Sequence, residues 1–209
     1  MSGYLKRGIN IKLYSPKELY ELARKTVSHL TDENAHSFAT GLPTAGDLFL
    51  TELEPSLLPV VNSIKFLGDV SENTSELVTA VKDTARTQAW RQPYSEQVIG
   101  SAFTEGSAWF PIADANGPVV YREGLVEIML LNSGINYPKH SHSPEELYIV
   151  LAGKVWWEAD GAEESPAWKK AGQVIHHMPH QAHAITAGDE PVLILNIWRG
   201  GGFEMPSIT

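Results

Sequence analysis

Hydrophobic positions along the chain change their period near its middle. In the first part they recur at helical spacing. Ser15-Pro16-Lys17-Glu18 unites a capping serine, a proline suited to the first turn and a glutamate that completes a capping box. Leu19, Leu22, Ala23, Val27 and Leu30 follow three or four apart. This predicts a helix from about Pro16 to His29. Thr31-Asp32-Glu33-Asn34 predicts a capped second short helix through Phe38, and Gly41-Leu42-Pro43 interrupts the pattern. The apolar stretch Val60 to Leu67, closed by Gly68, reads as helical. So does Asn73 to about Thr87, with Leu77, Val78 and Val81 on one face.

From Gln88 the pattern changes. Trp90, Tyr94, Phe103, Trp109 and Phe110 crowd a segment otherwise rich in turn residues. Val119-Val120-Tyr121 and Leu125 to Leu130 read as strands, as do Leu147 to Leu151, Lys154 to Glu158 and Val192 to Trp198. Asp160-Gly161 is a turn, and Glu163 to Lys170 a polar hairpin holding Trp168. Many short strands punctuated by glycine predict a β-barrel or sandwich. The expected organisation is a mostly helical region, residues 1–95, packed on a barrel, residues 96–209, or against a second subunit.

At 209 residues the chain is long enough for one sizeable core. A net charge of −9 argues against nucleic acid or an anionic membrane as partner. The absence of cysteine excludes disulfides, thiolate ligands and cysteine nucleophiles, and is compatible with a reducing cytoplasm. No run reaches the roughly 18 apolar residues of a membrane span. Met1 to Tyr14 carries Lys and Arg without a continuous apolar stretch, so no signal peptide is expected and a cytoplasmic location is.

Candidate chemistry concentrates in Gly134 to Gly153. Residues two apart on a strand share a face, so His140 and His142 can point together, as can Glu146 and Tyr148. Pro144 permits a bend between the pairs. Two imidazoles, a carboxylate and a phenol then converge, and imidazole with carboxylate is a ligand set for a divalent first-row metal. Six of the eight histidines lie between His140 and His183. The other two, His29 and His36, read as surface or helix-end residues.

The spacing of Gly134, His140, His142, Glu146 and Gly153 resembles the first motif of the cupin superfamily at every fixed position. The second motif is matched more loosely from Gly172. Met178 stands at its proline and His180 at its glycine, which puts His183 on the ligand position, with His180 as the alternative. His176 and His177 read as surface residues or outer hydrogen-bond donors. The resemblance implies a mainly β fold with N-terminal α: a single-domain cupin (double-stranded β-helix, jelly-roll barrel) preceded by a helical region.

Within cupins, Glu146-Leu147-Tyr148, Tyr137-Pro138 and the helical region ahead of one barrel are similar to the cupin-type dimethylsulfoniopropionate (DMSP) lyases, of the DddL and DddQ kind. That resemblance implies one divalent metal ion, Zn, Fe or Mn, held by His142, Glu146, Tyr148 and His183 with His140 beside them. It implies β-elimination of DMSP, a small-molecule partner, to dimethyl sulfide and acrylate. Tyr148 is the first choice of base and Tyr137 the second. A free phenol, with a pKa near ~10, becomes a useful base when a cation lowers it. A sulfonium has no hydrogen to donate and suits aromatic faces; Trp156, Trp157, Trp198, Tyr94 and Trp109 are available. A homodimer is a possible assembly. Another metal-dependent cupin enzyme, a dioxygenase or isomerase, and a cupin that only binds a small molecule are the alternative functions.

Overall fold

The structure, a computed structural model, describes residues 13–44, 46 and 48–209. The stretch read for a leader, Met1 to Tyr14, lies almost wholly outside these. Helix α1 spans Pro16–His29 and α2 Glu33–Gly41. The Ser15 side chain accepts from the Glu18 amide and Glu18 returns the bond to the Ser15 amide, so the capping box forms as its sequence predicts. Asp32 caps α2 by accepting from Ala35 N–H. The apolar stretch after Pro59 is a 3-10 helix, Pro59–Phe66, opened by the proline. Helix α3 is Ser75–Thr84, flanked by 3-10 turns on both sides. Two short helices, α4 (Glu96–Ile99) and α5 (Ser101–Gly106), precede the barrel. Among the described residues no helix is long and apolar enough to cross a membrane.

The strands, in chain order, are β1 (Phe49–Leu50), β2 (Ser107–Asp114), β3 (Val119–Val120), β4 (Gly124–Leu131), β5 (Asn136–Ser141) and β6 (Glu145–Ala152). They continue with β7 (Lys154–Ala159), β8 (Ala167–Lys170), β9 (Val174–His177), β10 (His183–Ala187), β11 (Val192–Arg199) and β12 (Ser207–Ile208). One sheet runs β1-β3-β2-β4-β11-β6-β9 and the other β12-β5-β10-β7-β8. They face each other as the two walls of a cupin barrel, so the mainly β fold with N-terminal helices stands as expected.

Alternation along the large sheet separates two cores. Val126, Ile128 and Leu130 of β4, Leu147, Ile149 and Leu151 of β6, and Leu193, Leu195 and Ile197 of β11 form one layer with Leu19, Tyr20, Val27, Phe38, Leu77 and Val81 of the helices. The intervening residues, among them Met129, Tyr148, Val150 and Ile194, face the barrel interior with Trp157 and Ile185 of the opposite sheet.

No strand is predicted over 107–114, a segment of crowded aromatics and turn residues, yet β2 forms there with Pro111 inside it. In the structure the β2–β4 register shifts between Pro111 and Ala113, a bulge that accommodates the proline. Gly134 and Gly153, the glycines of the first motif, take φ of +70° and +79°. His180 takes φ +61°, the left-handed conformation that favours glycine, and it occupies the motif's glycine position.

Candidate metal centre

Both sheets contribute to one buried cluster at an end of the barrel. His140 on β5 lies directly opposite His183 on β10. Glu146 on β6 lies opposite His177 on β9 and, on its other side, opposite Trp198 on β11. His142 comes from the bend between β5 and β6. All of these side chains are buried. Ligand atoms of His140, His142 and His183 lie within 4.8 Å of one another, as do those of Glu146, His177 and His183.

Hydrogen bonds select the atoms that face inward. The Nδ1 atoms of His140, His142 and His183 lie 2.8, 3.0 and 2.8 Å from the carbonyl oxygens of Pro138, Pro144 and Gln181. A carbonyl only accepts, so each Nδ1 carries the proton and each Nε2 keeps its lone pair. The Nε2 atoms of His142 and His183 are buried without a hydrogen-bond partner, 3.4 and 3.1 Å from Glu146 Oε2. Two orphaned imidazole lone pairs beside a buried carboxylate are costly unless something positive satisfies them. The donor set therefore fits a divalent cation, with the backbone bonds to Nδ1 orienting the rings.

His177 differs. Its Nε2 accepts from Trp157 Nε1 at 2.9 Å, so its Nδ1 carries the proton and donates to Glu146 Oε2 at 2.7 Å. Trp198 Nε1 donates to the other oxygen, Oε1, at 2.5 Å. The two cross-strand neighbours of Glu146 thus fix both of its oxygens. His177 has no nitrogen lone pair left to offer, and it stacks on His183 at 3.6 Å. Of the two readings open for this pair, surface residue or outer hydrogen-bond donor, half-buried His176 bonds Glu145 at 2.7 Å, and fully buried His177 is the donor to Glu146. Neighbours on a strand point to opposite faces, so the His176-His177 pair already required one of them to turn inward. His180 is exposed and takes no part in the cluster.

Charge and burial set the protonation states. Burial raises the Glu146 pKa, but the imidazoles of His142, His177 and His183 around it outweigh burial and hold the carboxyl well below its usual range. Burial and the neighbouring His183 lower His177 to about 4, so it donates to Glu146 as a neutral ring. His140 is likewise pushed well down by burial. Tyr148 lies between the cluster and a cavity, its ring 5.4 Å from that of His177 and 6.2 Å from that of His183. Burial and the Glu146 charge hold its pKa well above 10. Tyr137 stacks on His140 at 3.8 Å and shares a short hydrogen bond with Tyr94. Its pKa is also well raised, by burial and then by Tyr94.

The cavity, of about 350 Å³, leads outward from Tyr137 and Tyr148. Tyr94, Trp109, Trp198 and Phe203 contribute its aromatic walls, and Glu127, Arg91 and Asn196 its polar side. Of the other two tryptophans read as available, Trp156 packs on Trp168 and Trp157 supports His177. The sequence reading passed over Glu127 and Asn196, although each is the lone strongly polar residue in an apolar strand, Leu-Val-Glu-Ile-Met-Leu and Leu-Ile-Leu-Asn-Ile-Trp.

A cupin barrel with a buried histidine–carboxylate cluster beneath an aromatic cavity is the class of protein these features define. The family model for dimethylsulfoniopropionate lyase matches residues 51–194, and the chain belongs to that family. It is 28% identical over 120 residues to dimethylsulfoniopropionate lyase DddQ of Ruegeria pomeroyi, covering 57% of this chain and 59% of the relative. It is 29% identical over 150 residues to putative dimethylsulfoniopropionate lyase DddL of Cereibacter sphaeroides, covering 70% and 61%. The matched part thus spans about three-fifths of the length of each relative. A solved structure from work on the DMSP lyases RdDddP and RnDddQII superposes with a TM-score of 0.84 at 28% identity, over 93% of this chain and 97% of that one. The crystal structure of DMSP lyase DddQ from Ruegeria pomeroyi shares the fold, with a TM-score of 0.72 at 20% identity over 90% and 96%.

Proposed function

We propose that this chain is a metal-dependent DMSP lyase that cleaves its substrate to dimethyl sulfide and acrylate. The observation that carries the reading is the pair of buried, unpartnered Nε2 atoms of His142 and His183 converging on Glu146, beside a cavity lined by Tyr148 and Tyr137. Membership of the family supports the substrate. His140, His142, Glu146, Tyr148 and His183 would hold one divalent ion, with Zn, Fe and Mn suited to nitrogen and oxygen donors. Such an ion supplies Lewis-acid stabilisation of the charge that builds on the substrate carboxylate, and it lowers the pKa of a phenol beside it.

The protein's own groups do the rest. Tyr148, as phenolate, takes the proton from the carbon next to the carboxylate. The electron pair left behind forms the carbon–carbon double bond as the carbon–sulfur bond breaks, and the sulfur departs with its bonding pair as neutral dimethyl sulfide. Tyr148 protonated ends the cycle and must return its proton to solvent. Tyr137, locked to Tyr94, orients the substrate and is the second candidate for base. His177 and Trp198 keep the Glu146 oxygens aimed at the histidines. We further propose that residues 1–95 brace the barrel, residues 96–209, because the helices and the outer face of the large sheet share one hydrophobic layer.

Headspace detection of dimethyl sulfide tests the reading. Purified protein given DMSP should release it, lose the activity on chelation and regain it with added Zn²⁺, Fe²⁺ or Mn²⁺. Tyr148→Phe should bind metal and release no dimethyl sulfide. No release with any of these metals would overturn the assignment.

A further inference from the structure

The cavity has two chemically different ends. One end is lined by Tyr148 and Tyr137, with the histidine cluster behind their rings. At the other, Arg91 Nη2 lies 3.1 Å from Asp114 Oδ2 and 3.0 Å from Glu127 Oε2. Asn196 Nδ2 donates to Glu127 Oε1 at 3.2 Å. The charged residues lining the cavity are Arg91, Asp114, Glu127 and Glu204, so three carboxylates face one guanidinium. Glu127 is almost fully buried. Asn196, 3% exposed, keeps its Oδ1 buried with no hydrogen-bond partner.

Sheet register places these groups in one row. Glu127 on β4 lies opposite Asn196 on β11, which lies opposite Tyr148 on β6. Two strand spacings, about 10 Å, separate Glu127 from Tyr148. Both side chains line the cavity, so a small zwitterion held between them has the histidine end on one side and Glu127 on the other. The rings of Tyr94, Trp109, Trp198 and Phe203 surround that space. An excess of negative charge and several π faces attract a cation that offers no strong hydrogen-bond donor. They repel an anion, and a neutral group gains nothing from the charge.

We propose that the Glu127–Asn196 end of the cavity is an onium-binding subsite that selects fully alkylated sulfonium or ammonium groups over neutral groups of the same shape. It rests on the reading that the substrate carboxylate lies at the histidine cluster. Glu127 supplies the charge, Asn196 holds its Oε1, and the aromatic rings supply shape. Arg91 keeps the Glu127 carboxylate in place.

An isosteric pair of probes tests this. 3-(Trimethylammonio)propanoate and 4,4-dimethylpentanoate have the same shape and carboxylate and differ in one positive charge. Calorimetric titration of each into the full chain with Zn²⁺ present, at about pH 8.5 where Glu127 is ionised, should show the cation bound about tenfold tighter or better, a preference worth about 1.4 kcal/mol. Glu127→Gln should reduce the preference to within about twofold. Glu127→Asp, which keeps the charge, should retain most of it. Asp114→Asn, which removes the second carboxylate on Arg91, should weaken it by a smaller factor. Equal binding of the two probes by the wild type would overturn the proposal. So would full preference in Glu127→Gln or, if that variant does not fold, in Asp114→Asn. Probe binding does not require turnover. If Glu127-dependent preference appears without dimethyl sulfide release, the lyase reading falls and the onium site stands. If dimethyl sulfide is released without any preference, the reverse holds.

Discussion

The two faces of the large sheet use alternate residues of the same strands and could hardly differ more. Outward, β4, β6 and β11 present Val126, Ile128, Leu130, Leu147, Ile149, Leu151, Leu193, Leu195 and Ile197, all buried under the helices. Inward, the same strands present Glu127, Glu146, Tyr148, Asn196 and Trp198, equally hidden from bulk solvent. The outward face gains roughly 1.5–3 kcal/mol for each large side chain it buries. The inward face places two carboxylates where burial opposes their charge, and it leaves polar atoms of His142, His183 and Asn196 without partners. One face is explained by folding. The other is explained only by something the barrel holds.

The comparison can be sharpened by breaking each face in turn. The largest effect on stability is expected from Leu195→Ala on the outer face, fully buried among helix and sheet side chains. It should cost about 2–5 kcal/mol in denaturant unfolding. Metal affinity of the folded fraction should not change. A comparable loss of metal affinity would show that the faces are not independent.

On the inner face, burial outweighs the opposing Arg91 and Asn196 contacts and raises the Glu127 pKa to about 7. A folded pKa above the unfolded one means the native state takes up a proton at intermediate pH. The stabilisation this gives is complete below about pH 4.5 and is lost as pH rises through about 7. Relative to Glu127→Gln, the wild type should therefore lose roughly 3 kcal/mol of stability across that window. Parallel pH profiles of the two proteins by urea unfolding would refute the burial argument.

A smaller effect is expected at Trp157. Its indole N–H fixes the His177 tautomer that donates to Glu146. Trp157→Phe should weaken metal binding by about 10–100-fold in competition with a chelator. An asparagine can donate to Glu146 without help from Trp157. His177→Asn should therefore bind more tightly than Trp157→Phe, and adding Trp157→Phe to His177→Asn should cost little more. Additive losses would mean that the indole acts by packing alone.

Much of the outer face was legible in the sequence because it rests on local rules. Ser15-Pro16-Lys17-Glu18 starts α1 where capping places it, and the run Val192 to Trp198 is a strand for its apolar content. The β2 strand was not legible among the aromatics and turn residues of its segment, and it carries Pro111 at a bulge against β4. On the inner face, His140, His142, Glu146 and His183 could be named from motif spacing, and the folded barrel brings them together. The roles of His177, Trp198, Glu127 and Asn196 could not, because they depend on cross-strand register. The available signals were strand alternation across His176-His177 and, for Glu127 and Asn196, a polar residue inside an apolar strand run.

The central claim is that the inward cluster exists to hold a metal. Calorimetric titration of Zn²⁺ into chelator-treated protein tests it most directly, with His183→Ala alongside. The account predicts saturable binding of one ion per chain, weakened at least about 100-fold in His183→Ala. No saturable binding, or binding that His183→Ala leaves intact, would contradict it.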